Sequence, residues 1–315
     1  MRSCLLQTFR DFELLLIDDG STDATPALLQ NLAKTDPRIR VLSLPHAGVR
    51  YAFNAGIAES SGTFIARMDS DDEMHPERLQ KQLQFLQQHP QIGLVSSLVQ
   101  HGGDAKAQEG YAAYIDWINT LVTPEEIVRN RFVESPVCNP SILFRRSVAE
   151  QFGACRAGDF PEDYELWLRW LENGVQMAKV PEVLLTWNDP PTRLTRTNDD
   201  YSPDAFARIK AVYLARFLRE KTNGRAIWLC GAGRITRKKS DFLRNEISIA
   251  GYIDVDPKKS GTASNGLPVL GINDIPSKEK SYIVSYITNR GAREAIRKLL
   301  TEKGFEEESD FILAG

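Results

Sequence analysis

The chain has 315 residues, 42% apolar and 26% charged, with 39 basic against 42 acidic side chains and a formal charge of −3. The length suits two domains, the composition excludes a disordered or collagen-like chain, and the lack of a global basic field argues against a nucleic-acid partner. Cys4, Cys138, Cys155 and Cys230 lie far apart with no CxxC pair, which excludes a zinc ribbon and a thioredoxin-like pair and predicts buried free thiols. Four histidines argue against a His-rich metal site. No run approaches 18 apolar residues and the first residues lack a long apolar stretch before a cleavage site, so a cytoplasmic location is expected, with any membrane contact peripheral, at the inner face.

In chain order, the run FELLLI (12–17), a helix begun near Pro26, a strand over 39–45 and the strand TFIARM (63–68) alternate as βαβ units do, which predicts an α/β fold with a doubly wound, mostly parallel sheet. Pro76 opens a helix in which Leu79, Leu83 and Leu86 keep helical spacing, and IGLVSSLV (92–99) reads as a further strand. Between about 100 and 200 the pattern predicts a helix after Thr123, a strand near 141–144 and a helix through DYELWLRWLENG, ended by Gly174. A long helix around 203–221 leads to Thr222-Asn223-Gly224, after which a fresh βαβ begins at AIWLCGAG (226–233). The boundary is placed there, giving domains 1–222 and 223–315. Residues 225–315 carry 15 basic against 12 acidic side chains, whereas residues 1–224 carry 24 against 30.

Two acidic clusters carry the chemistry. Asp18-Asp19-Gly20-Ser21 follows the first strand directly, and Asp69-Ser70-Asp71-Asp72 stands in the same relation to TFIARM. Both are expected at the crevice outside the carboxyl ends of the strands, where open α/β sheets bind ligands. Carboxylates packed that closely call for a cation, and oxygen ligands suit Mg²⁺ or Mn²⁺ sharing its shell with substrate phosphates. Taken alone, each cluster reads equally well as turn residues and helix caps.

LLQTFRDFELLLIDDGSTD (5–23), AGVRYAFNAGIAESSGTFIARMDSDDEMHPERLQKQ (47–82) and FPEDYELWLRW (160–170) together resemble the family 2 glycosyltransferases of the GT-A fold, over roughly residues 3–220. The resemblance implies a GT-A type domain followed by a small Rossmann-like α/β domain, and a nucleotide-sugar donor, probed first as a UDP-sugar. It implies that Asp19, with Asp18 beside it, contacts the uracil or ribose, that Arg67 sits by the donor, and that Asp71 of the DxD motif is the main ligand of Mn²⁺ or Mg²⁺, with Asp69 near metal and sugar. The family opens with a strand bearing a Pro-x-Tyr-Asn type motif that has no counterpart here. Either a further 20 to 30 residues precede Met1 in the natural reading frame, or the donor site is impaired.

Asp163 falls in the first turn of its predicted helix, where the macrodipole favours an ionised carboxylate. A capping role explains that position on its own; the resemblance makes it the general base that takes the acceptor hydroxyl's proton in a single, inverting displacement. The acceptor implied is a surface polysaccharide or lipid-linked glycan. Glu134, Asn139, Arg145 and Arg146 fall in a segment that faces the acceptor in similar proteins, Asn54 is ambiguous, and Trp117 and Trp187 serve either as sugar-stacking rings or as core.

In the last 90 residues, Gly231 and Gly233 precede a helix and Asp254 ends the next strand 21 residues after Gly233, a spacing like that of a dinucleotide-binding half in which Thr236 replaces the third glycine. The turn either binds an anion, with Arg234, Arg237, Lys238 and Lys239 beside it, or merely joins strand to helix. A sugar nucleotidyltransferase would show a basic Gly-rich N-terminal signature, which is lacking, and an oxidoreductase built on Gly231 and Gly233 leaves the first 220 residues unexplained. The remaining alternative is an inactive remnant that binds a sugar nucleotide or glycan.

Overall fold

The computed structural model describes residues 1–104, 108–190, 193–287 and 291–315. Internal contacts divide the chain into two compact units: residues 1–127 with 137–197, and residues 128–136 with 198–315.

The elements up to residue 197 are α1 (Arg2–Leu5), β1 (Leu14–Asp18), α2 (Thr25–Ala33), β2 (Ile39–Ser43), α3 (Val49–Glu59), β3 (Phe64–Ala66), β4 (Glu73–Met74), α4 (Arg78–Gln88), β5 (Ile92–His101), α5 (Glu109–Asn119), α6 (Pro124–Asn130), β6 (Leu143–Arg145), α7 (Arg146–Phe152), α8 (Glu162–Glu172), β7 (Gln176–Trp187) and α9 (Leu194–Thr197). β1 and β2 form a parallel pair, Leu14 beside Ile39 through Asp18 beside Ser43. The other strands make one five-stranded sheet in the order β3-β6-β5-β7-β4. Its central pair, β5 and β7, is parallel, whereas β3 with β6, β6 with β5, and β4 with β7 are antiparallel. β7 carries Pro181, whose missing N–H cannot serve a ladder. The register steps from Ser97 opposite Val180 to Leu98 opposite Val183, so Pro181 and Glu182 bulge out and the strand continues.

The core lies between this sheet and its helices. α8 is buried on almost every side: Trp167 and Trp170 are wholly enclosed, and their rings meet edge to face at 5.8 Å. The expected stripe of Leu166, Trp167, Trp170 and Leu171 is therefore widened by Leu168 and by the buried pair Glu165–Arg169, 2.9 Å apart. Arg169 also donates to the carbonyls of Phe152, Gly153 and Ala154, fixing the loop after α7.

Arg78, at the start of α4, is fully enclosed. Its guanidinium donates to Arg67 O at 2.9 Å, Ile142 O at 3.1 Å and Gln82 Oε1 at 3.0 Å. Gln82 in turn donates to Ser141 O at 2.7 Å. Gln7, also enclosed, donates to His75 O and accepts from Leu79 N, tying the segment after α1 to the same helix.

The second unit comprises α10 (Pro203–Lys221), β8 (Ala226–Cys230), α11 (Arg234–Glu246), β9 (Gly251–Asp254), β10 (Ala263–Ser264), β11 (Leu267–Gly271), β12 (Ser281–Ser285), α12 (Ala292–Glu302) and β13 (Phe311–Leu313). The sheet order is β10-β11-β9-β8-β12-β13, parallel except for β10. The parallel character of the chain is thus concentrated here. α10, which the boundary at 222/223 assigns to the first domain, packs against α11 within this unit. Its buried residues Ala207, Ala211, Leu214 and Leu218 recur at helical spacing and need that neighbour.

All four cysteines are free and buried. Among the described residues no helix is long and apolar enough to cross a membrane.

Replacing Arg78 with Met removes the donors of Arg67 O and Gln82 Oε1 inside the core. Orphaned buried acceptors cost about 1–3 kcal/mol each, so urea denaturation should show a loss of roughly 2–4 kcal/mol.

Candidate active site

β3 ends at Ala66, and the acidic loop begins behind a buried arginine. Arg67 is 8% exposed. Its Nε donates to Asp69 Oδ1 at 3.1 Å, and its guanidinium lies 4.9 Å from the Phe53 ring centroid. Its Nη1 is buried and has no hydrogen-bond partner. Burial works against its charge, but Asp69 and Glu162 hold the guanidinium above its usual range.

The Asp71 side chain is exposed and makes no hydrogen bond to the described residues, while its backbone carbonyl accepts from Asn188 Nδ2. Asp72 is 4% exposed, its Oδ1 accepts from Asn188 N at 2.8 Å, and its Oδ2 is buried without a partner. Burial pushes the Asp72 carboxyl up to about 7, helped by Asp69 and Asp71 and opposed by the Asn188 N–H and Arg193. The pairing of Glu73 with Thr186 brings this loop to the end of β7.

Asp163 stands in the first turn of α8, where its Oδ1 accepts from Tyr164 N at 2.7 Å. Burial raises its carboxyl well above the usual carboxylate range; the charge of Glu162 adds to this, whereas Arg67, the Tyr164 N–H and Arg193 oppose it. Arg193 therefore faces both Asp72 and Asp163. It is held by the rings of Tyr111 and Trp187, whose centroids lie 4.6 and 4.5 Å away, and by Asp189 at 3.6 Å. Asp69, Asp71, Asp72 and Asp163 thus share one electrostatic neighbourhood with Arg67 and Arg193. Among the described residues no three His, Cys, Asp or Glu side chains are gathered closely enough to cage a metal.

Asn188 and Arg193 are absent from the sequence reading, which holds Asp72 only as the last residue of the second acidic cluster and gives it no role of its own. Asp72 looks like the tail of the acidic run, and Arg193 follows a loop without periodicity, so only the β4–β7 pairing and the aromatic clamp reveal them.

The other expected residues have structural partners. Asp18 is buried and accepts from Ser21 N at 3.1 Å. Both oxygens of Asp19 accept backbone N–H groups at 2.9 Å, from Ala47 and Gly48, closing the turn into α3. Gly20 keeps that turn tight: its φ is +76°, and a Cβ there would stand 2.6 Å from His46 N. Asn54 exchanges two hydrogen bonds with the backbone of Cys155. Arg145 binds the carbonyls of Leu86 and Ile92, and Arg146 those of Ile57, Ser60 and Gly62, at the end of α3. Asn139 is buried in a short 3₁₀ turn. Trp187 is 7% exposed, with Arg193 and Tyr111 against its ring, and Trp117 packs on the core, so both rings serve the interior. Glu134 belongs to the second unit.

In that unit the glycine turn is engaged within the fold. Gly231 N donates to Ile253 O at 2.7 Å and Ala232 N to Asp254 Oδ2 at 2.8 Å. Asp254 also accepts from Asp256 N and Lys259 Nζ, both at 2.9 Å. Arg237 donates to Ser264 and Lys238 pairs with Asp204.

Residues 1–153 match the sequence model described as Glycosyl transferase family 2. The chain is 28% identical over 228 residues to the O-antigen biosynthesis glycosyltransferase WbnJ of Escherichia coli, covering 70% of this chain and 83% of that protein. It is 27% identical over 184 residues to the amylovoran biosynthesis glycosyltransferase AmsE of Erwinia amylovora, covering 57% of this chain and 65% of the relative. Among solved structures, S. aureus TarS 1–349 in complex with UDP-GlcNAc aligns over 78% of this chain and 65% of its own, with a TM-score of 0.53 at 16% identity, a likeness that shows the GT-A type fold.

Asp19→Ala removes two charge-assisted hydrogen bonds from the turn before α3. The expected loss is about 1–2 kcal/mol by chemical denaturation, and a variant as stable as the parent would remove Asp19 from the turn's support.

Proposed function

Since the chain belongs, through residues 1–153, to glycosyl transferase family 2, we propose that it transfers a sugar from a nucleoside-diphosphate donor, a UDP-sugar first, to a hydroxyl of a surface-polysaccharide or lipid-linked glycan, with inversion. The observation that carries this reading is the single neighbourhood in which Arg67 and Arg193 both face Asp163, while Arg67 pairs with Asp69 and Arg193 faces Asp72. The relatives that act in O-antigen and amylovoran biosynthesis support the acceptor class. A cytoplasmic site, at the inner face of the membrane, belongs to the same reading.

In this mechanism the Asp163 carboxylate takes the acceptor's O–H proton as that oxygen bonds to the anomeric carbon. The bond from this carbon to the diphosphate breaks, and its electron pair leaves with the diphosphate. Arg67 and Arg193 offer positive charge beside the site, and the free Nη1 of Arg67 is an unused donor for the donor substrate. The turn held by Asp18 and Asp19 receives the nucleoside.

The residues present fit Mn²⁺ or Mg²⁺: Asp71 makes no side-chain hydrogen bond to the described residues, Asp72 has a buried Oδ2 without a partner, and Asp69 accepts from Arg67 through Oδ1. Asp71, with Asp69, would hold the ion, which when bound supplies Lewis-acid neutralisation of the leaving diphosphate.

Release of free nucleoside diphosphate from a panel of sugar nucleotides tests the proposal; no turnover of any donor, with or without acceptor, would favour the inactive-remnant reading. Turnover should require a divalent cation and disappear in Asp71→Asn, and full activity in excess EDTA would sink the metal assignment.

Asp163→Asn should abolish transfer while donor affinity stays within about threefold, because a base acting on the acceptor adds little to donor binding. Because Asp163 titrates above the usual carboxylate range, kcat/KM should fall as the pH drops toward the acid side. Arg193→Gln removes a charge that favours the ionised base, so that acid limb should move to higher pH. An unmoved limb would separate Arg193 from the base.

A further inference from the structure

β1 and β2 run parallel and end together: Asp18 stands opposite Ser43, and Leu44 N donates to Asp18 O at 2.8 Å. The turns that leave the two strands therefore meet at this carboxyl edge, where ligands of open α/β sheets bind. Gly20, in the turn after β1, lets them close up, since a Cβ there would stand 2.6 Å from His46 N and 3.0 Å from His46 Cα. His46 is thereby seated against the turn that receives the nucleoside in the proposed function.

The carboxylates of that turn are already engaged. Asp18 is buried and accepts from Ser21 N, and Asp19 accepts from Ala47 N through one oxygen and from Gly48 N through the other. Asp19 also fixes a ring: His46 Nδ1 lies 2.9 Å from Asp19 Oδ2 and 3.0 Å from Asp19 O. A ring nitrogen between two oxygen acceptors carries the proton, so the imidazole is pinned through Nδ1–H. The rest of the ring stands in solvent, with the side chain 79% exposed. An exposed flat ring held at one atom has given up much of its rotamer freedom before any ligand arrives, which lowers the cost of packing against it.

We propose, resting on the nucleotide-sugar reading above, that His46 is the stacking platform for the donor's nucleobase and that Asp19 orients this ring instead of reading the base. Bases stack on histidine as on other aromatic rings, and a stacked face calls for no free carboxylate. Every base has such a face, so His46 contributes affinity for the nucleoside rather than a choice among bases.

Calorimetric titration of the full chain with UDP and with inorganic pyrophosphate, both in Mn²⁺, tests this. His46→Ala should weaken the Kd for UDP roughly tenfold, the low end of what truncating a stacked aromatic ring costs, while pyrophosphate, which lacks a base, binds both proteins alike. His46→Phe keeps the ring face and loses the bond to Asp19, so it should bind UDP within about threefold of the parent. A ring that only supported the turn would lose as much affinity in His46→Phe as in His46→Ala, because both lack the Nδ1 contact, and that result would overturn the proposal. Both variants should melt at the parent's temperature, the side chain being exposed. In proton NMR the imidazole resonances that vanish in His46→Ala should shift upfield when the parent binds UDP. Unchanged UDP affinity in His46→Ala, or a matching fall in its pyrophosphate affinity, would also overturn the proposal while leaving the nucleotide-sugar reading in place. A parent chain that binds no nucleoside diphosphate at all would remove that reading as well.

Discussion

A guanidinium taken wholly out of water is tolerable only when acceptors replace the water it loses. Arg78 meets that condition by reaching the carbonyls of Arg67 and Ile142 and the side chain of Gln82. These acceptors belong to the start of the acidic loop, the chain entering β6 and the next turn of α4. The first two are already joined by the β3–β6 ladder and by Arg67 N to Ile142 O, and the guanidinium ties α4 to them. The backbone beside Asp69, Asp71 and Asp72 is set by this contact, since Arg67 cannot move without orphaning a buried donor.

Within that frame, the candidate site is a problem of like charges. Asp69, Asp71 and Asp72 lie within four residues, and Glu162 stands beside Asp163. The fold answers with two arginines rather than with dispersal: Arg67 under the loop, stacked on Phe53, and Arg193 between Tyr111 and Trp187. Aromatic faces hold these planar cations by their flat sides, while their edges stay free to meet carboxylates such as Asp69 and Asp189. That arrangement leaves Nη1 of Arg67 buried without a partner.

The two units use carboxylates in contrasting ways. Asp254 has the position expected of a ribose ligand, yet accepts from the turn it faces and from Lys259, so it stabilises the strand-to-helix connection itself. Asp19 does the same for the turn into α3. In both cases an aspartate after a strand serves the backbone N–H groups nearest to it, because a carboxylate at the end of a sheet meets unpaired amides before it meets a ligand.

Much was legible without coordinates. The βαβ rhythm, the helix opened by Pro76 and the stripe of α8 follow from local pattern, because apolar periodicity and turn residues act over a few positions of chain, while the family is suggested by the resemblance of three long motifs. The extent of β7 was not legible, since Pro181 argues against a strand and only the bulge against Ser97 and Leu98 accommodates it. Nor could the sequence tell that Asn54, Arg145 and Arg146 serve carbonyls, that Trp187 lies against an arginine, or that α10 packs with the later strands. Those outcomes depend on which unsatisfied groups arrive opposite one another when distant segments pack. The sequence by itself determined the elements, the family and the carboxylates. Only the tertiary structure decided that Arg193 joins them and that Asp72 is buried against Asn188, because a charge 30 residues from Asp163 and 121 from Asp72 is brought near both by the pairing of β4 with β7 and by an aromatic clamp, neither of which leaves a periodic trace.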